Sequence, residues 1–172
     1  MELPGTGYLF TIATISITYA GFAALIVIFR QIIGGGVSNF DVFVIRAVLL
    51  RSFIITCSAL LPPALVLFDL SHTVIWRIAS VVAALLQGAF VLTHRIRRRA
   101  ITEFPTPTWA LIALGLGGLT SIALLMNALG VFGKPAAGPF VICVTAFLIL
   151  SFYAFLNHLE GLLRGPMKQK RK

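Results

Sequence analysis

The sequence predicts an all-α fold, a polytopic membrane helix bundle with five transmembrane helices, the N-terminus outside and the C-terminus cytoplasmic. Three observations carry this expectation. First, 59% of the 172 residues are apolar and only 11% are charged, with a mean hydropathy of +1.00, whereas soluble domains carry about 25% charged residues. Second, the charges cluster between long uncharged runs, each near the roughly 20 residues that a helix needs to cross about 30 Å of hydrocarbon. Third, those runs are continuously apolar, whereas a membrane barrel strand alternates over about 10 residues. Disorder is excluded by the same composition.

The spans follow in order. Span one, residues 8–29, is uncharged from Tyr8 to Phe29. No basic segment precedes it and no small-residue cleavage site follows a short apolar core, so it reads as a retained anchor. Span two, residues 43–68, carries Arg46 and Arg51 in its first turns and is then uncharged from Ser52 to Phe68. Its Pro62-Pro63 pair removes two backbone donors and is expected to kink or break the outer half of the helix. Span three covers residues 74–94, span four 109–132 and span five 140–161. Residues 1–163 form one transmembrane domain, and 164–172 a basic cytoplasmic tail. No period of 20 to 50 residues repeats, which argues against an inverted-repeat transporter.

Orientation rests on the excess of Lys and Arg in cytoplasmic loops. With the N-terminus outside, twelve of the fourteen basic residues fall on the cytoplasmic side, and only Arg77 and Lys134 fall outside. Tyr8, Trp76 and Trp109 lie at span ends, where amphipathic rings favour headgroups. Small residues at four-residue spacing offer close-packing faces: Ser16, Ala20 and Ala24; Ser80, Ala84 and Gly88; Ala113, Gly117 and Ser121. They suit packing within the chain and self-association equally, so a homo-oligomer or a membrane-protein partner is expected.

Ionisable groups inside a membrane are costly and therefore functional candidates. Arg46 and Arg51 are expected at the cytoplasmic end of span two, their stems letting the guanidinium groups reach water or lipid phosphate; the alternative is a basic vestibule that attracts anions. Arg77 is expected to pair with Asp69 or a headgroup. Spans three and five run in one direction, so His94 and His158 share a depth. Ser80, Gln87 and His94 lie on one helix face. Two such imidazoles could ligate a haem iron, with Arg95 and Arg97 near its propionates, although interfacial histidines are the simpler reading and no metal is expected. Glu160 could neutralise Arg51, Arg164 or His94, and Gln87 and Asn127 are expected to bond between helices. Arg46, Arg51, Gln87 and Glu160 are thus the permeation or polar-core candidates.

Arg95, Arg97, Arg98 and Arg99, with Lys168, Lys170, Arg171 and Lys172 in the tail, form basic juxtamembrane segments suited to anionic lipid headgroups or acidic partners. They lack the aromatic interleaving and folded module of a nucleic-acid reader, so no nucleic acid is expected. Cys57 and Cys143 stand alone, and no phosphate loop, nucleophile elbow or zinc helix is present, so no enzyme is expected. The leading expectation is a small membrane protein, in the inner membrane if bacterial, that forms or regulates a channel-like permeation path. Alternatives are a membrane anchor or effector recruiting cytoplasmic partners through its basic loops, and a haem-binding redox subunit.

Overall fold

A computed structural model describes residues 3–32, 39–101 and 106–163, with the side chains at 30–31, 39–41, 95 and 160–163 lying outside that description. The described residues form five α-helices: α1 (Thr6–Ile32), α2 (Asn39–Val66), α3 (His72–Arg99), α4 (Thr108–Leu129) and α5 (Ala137–Leu163). Each contains a segment long and apolar enough to cross a membrane, and no strand occurs among the described residues. This is the architecture of a multi-pass membrane protein.

The distribution of side chains agrees with that reading. Large apolar residues such as Phe22, Phe53, Leu85, Leu119 and Ile142 face outward, while Ser16, Ser52, Ser58, Ser80, Gln87, Ser121, Asn127 and Ser151 are buried. Water would drive such outward residues inside. A hydrocarbon solvent leaves them indifferent and instead favours small residues and polar pairs between helices.

Helix α2 packs on α1, α3 and α5, α4 packs on α3 and α5, and α5 also touches α1 and α3. Contacts fix the directions. Along α3 and α4, Ser80 meets Asn127 and Gln87 meets Thr120, so these helices are antiparallel. Trp76 meets Phe140 and Phe90 meets Phe147, so α3 and α5 are parallel. The bundle therefore has a basic end, bearing Arg46 and Arg97 to Arg99, and an opposite end.

Several members of the small-residue stripes pack within the chain. Ser16 Oγ donates to the Ser52 carbonyl across α1 and α2 at 3.1 Å. A Cβ on Gly117 would lie only 3.3 Å from Val91 and 3.4 Å from Phe147, so this glycine lets α3, α4 and α5 converge. At the opposite end, Asn127 Nδ2 donates to Ser80 Oγ (2.9 Å) and to the Ala136 carbonyl (3.2 Å), while Asn127 Oδ1 accepts from Ala136 N–H (3.3 Å). Helix α4 ends there in a Schellman turn. Gly130, at φ +77, donates to the Asn127 carbonyl, and Val131 N–H donates to the Met126 carbonyl.

Three expectations are corrected at this level. Of the expected kink or break at Pro62-Pro63, the break is corrected: helix α2 runs through the pair and ends one turn later at Val66. Pro62 is buried, and a proline this near a helix end deprives only the Ser58 and Ala59 carbonyls of donors. Trp76 is 3% exposed and packs on Phe140 inside the bundle rather than at a headgroup surface. Arg77 Nε donates to the Ala128 carbonyl at 3.2 Å instead of pairing with Asp69, because the last turn of α4 leaves carbonyls without helical donors.

Candidate functional site

The side chain that departs furthest from its expected place is Arg51. It belongs to the ninth position after Val42, where the apolar segment of α2 begins, about 13 Å along the helix. Its guanidinium does not extend to the end of the bundle. The guanidinium carbon lies 4.8 Å from the centroid of the Phe90 ring and 5.9 Å from that of Phe147, so the group turns sideways between α3 and α5. Only 7% of its surface is exposed, and Nε has no hydrogen-bond partner. The expectation of a snorkelling arginine is thus corrected for Arg51: its guanidinium is held against rings of α3 and α5 instead of extending to the surface. Two aromatic faces stabilise the cation electrostatically, but a ring is a weak substitute for the hydrogen bonds that a buried guanidinium loses.

No carboxylate compensates it among the described residues, where Asp69, beyond the far end of α2, is the one acid with a described side chain. The Glu160 side chain lies outside the description.

Arg51 borders a cavity of about 220 Å³ between α2, α3, α4 and α5, at the basic end of the bundle. The same cavity is bordered by Arg98, His94 and His158. The structure therefore brings both histidines and two of the arginines to one place. His94 sits between Phe43 and Phe90, with ring centroids 5.2 and 5.5 Å away. His158 meets Trp109 edge to face at 4.9 Å. The remaining walls are apolar, among them Val44, Ala47, Ala113, Leu114, Ala154 and Phe155. Ala47, Ala113 and Ala154, on three different helices, border the space with short side chains.

The other candidates lie elsewhere. Gln87 is completely buried between α3 and α4, where its Oε1 accepts from Thr120 Oγ1 at 3.3 Å and its Nε2 has no partner. It does not border the cavity. Arg46 and Arg97 are exposed and flank an open groove with Val27, Val42 and Leu49. Arg99 is also exposed. The side chain of Arg95 and the tail residues Lys168, Lys170, Arg171 and Lys172 lie outside the described residues. No group of three or more His, Cys, Asp or Glu able to hold a metal occurs among the described residues.

Sequence reasoning identified every polar member of this site except Arg98, which it had assigned to a lipid-facing basic segment. It missed the apolar members and Trp109. The usable signal was the helical spacing of His94 and Arg98, which puts them on one face of α3 one turn apart. The chain matches no known protein-family model, no curated protein and no solved structure.

Proposed function

We propose that this multi-pass chain forms or regulates a permeation path for anions, with the cavity beside Arg51 as its cytoplasmic vestibule. The observation that supports this reading is a guanidinium buried about a third of the way along a membrane-spanning helix, facing a cavity and matched by no carboxylate among the described residues. Such a charge costs stability unless something else repays it. An anion entering from the basic end would meet Arg98 and then Arg51, in a low-dielectric space where each charge acts strongly.

The vestibule is built within one chain, so the proposal does not depend on self-association. Exposed Arg46, Arg97 and Arg99 would raise the local concentration of anions and hold the headgroups of acidic lipids at the same end. A haem between His94 and His158 gains no support from the space available. About 220 Å³ is below the roughly 300–1,000 Å³ of pockets for drug-sized ligands, a class to which a macrocycle belongs.

The test is anion and cation efflux from liposomes containing the purified protein, with Arg51→Gln beside the wild type. The expected result is anion efflux above that of empty liposomes, reduced at least tenfold by the substitution. Efflux equal to that of empty liposomes for every ion, with correct insertion shown by protease protection, would overturn the permeation reading and favour an effector that recruits cytoplasmic partners.

A further inference from the structure

We infer that the Arg51 cavity is a binding site for a small organic monocarboxylate that enters head first, with its apolar body against α4 and α5. The inference deepens the vestibule reading but concerns occupancy, and a binding measurement decides it independently of any flux.

Four observations point to this ligand class. The cavity is bordered by Arg51, 7% exposed, whose Nε has no partner. A carboxylate is the complementary planar acceptor, and it can take two parallel N–H donors from one guanidinium. Arg51 lies deeper than the second guanidinium of the cavity, Arg98, so a carboxylate seated on Arg51 is matched there by one positive charge. Beside His94, Arg98 and His158, the walls are mostly Ala, Leu, Val and Phe side chains, which gain by covering the hydrocarbon of an organic acid. The volume, about 220 Å³, is that of a small molecule.

Orientation separates a free acid from a lipid. Arg51 lies deeper than His94 and Arg98, which sit one and two turns nearer the basic end of α3 than Phe90, over which the guanidinium rests. The anionic head must therefore pass the mouth first, with the apolar part trailing. A bilayer lipid carries the opposite arrangement, its head at the surface and its tails in the hydrocarbon, and would have to draw that head about 13 Å inward to reach Arg51.

Tryptophan provides the probe. The chain has two, Trp109 at the cavity and Trp76 buried against Phe140 far from it. In a Trp76→Phe background the emission comes from Trp109 alone. Purified full-length protein in nonionic detergent is titrated with hexanoate, with 1-hexanol, with inorganic phosphate and with micellar phosphatidylglycerol. The expected result is a saturable change in Trp109 emission with hexanoate, at least tenfold weaker binding of each other probe, and at least tenfold loss in Arg51→Gln. Ala113→Leu, which fills the cavity and keeps Arg51, should lose binding to the same extent. Hexanol binding as well as hexanoate would overturn the role of Arg51, phosphate binding as well would overturn that of the apolar walls, and phosphatidylglycerol binding as well would make the ligand a lipid. Unchanged hexanoate binding in Ala113→Leu overturns the site even if Arg51→Gln does not fold. Hexanoate binding without flux would leave this inference standing and remove the permeation reading; flux without binding would do the reverse.

Discussion

Two buried amides on neighbouring helices, alike in sequence, should respond to the same substitution with opposite signs. Asn127→Leu removes three hydrogen bonds, at 2.9, 3.2 and 3.3 Å, that join α4 to α3 and to the start of α5. Interhelical bonds in membranes average about 0.6 kcal/mol, so the loss is about 2 kcal/mol. Gln87→Leu removes one bond, received at 3.3 Å from a Thr120 hydroxyl that also lies 2.8 Å from the Gly117 carbonyl. It also removes a buried Nε2 with no partner, and leaving such a group buried costs about 1–3 kcal/mol. The net effect is stabilising by roughly 1 kcal/mol. The two variants should then differ by about 3 kcal/mol, more than a hundredfold in the unfolding constant. Reversible unfolding in mixed micelles of sodium dodecyl sulfate and a nonionic detergent, followed by helical circular dichroism, measures both. If Gln87→Leu destabilises the protein as much as Asn127→Leu, the buried amide is serving the bundle in a way that the hydrogen-bond geometry does not contain, and the reasoning fails.

The same assay tests three further expectations. Gly117→Leu should lower stability by about 1–3 kcal/mol, since even a Cβ there meets Val91 and Phe147 at 3.3 and 3.4 Å; Gly118→Leu, with open space at its Cβ, should change stability by less than about 0.5 kcal/mol. Gly130→Ala should cost about 1–2 kcal/mol, because φ is +77 and the new Cβ would lie 2.8 Å from the Gly133 carbonyl oxygen. Arg51→Met should raise the unfolding midpoint by the equivalent of about 1–4 kcal/mol, as expected when a buried ionic group gives way to an apolar one of similar length; a lowered midpoint would mean that the guanidinium holds the bundle together.

The number of helices was legible in the sequence because each span is an uncharged run bounded by charges, and a hydrocarbon solvent tolerates little else. The common end of His94 and His158 was legible because an even number of crossings separates parallel helices. The direction of Arg51 was not. An arginine near the start of a span can reach the surface or turn inward, and the choice depended on Phe90 and Phe147, which are distant in sequence. Trp76 misled for a related reason: a ring at a span end favours headgroups only if no neighbouring helix extends past it, and α5 does. The stripes through Ser80 and Gly117 were readable as close-packing faces, but small residues carry no mark of which helix they meet. The cavity was invisible, since it arises where alanines from separate helices face one another.

The inward turn of Arg51 also constrains how the chain is made. Helix α2 leaves the ribosome before either of the rings that flank its guanidinium exists, and an arginine a third of the way along a lone spanning helix carries part of the cost, about 2.5–3.5 kcal/mol, that insertion scales give at the helix centre. Phe90 arrives with α3 and Phe147 only with α5. Until those helices dock, a depth nearer the membrane surface is the cheaper one for the charge, so α2 is expected to settle to its final depth late, after the helix that follows it by three in the chain. Biogenesis would then end with a vertical adjustment of α2, and any factor that retains newly inserted helices would have to hold this one longest.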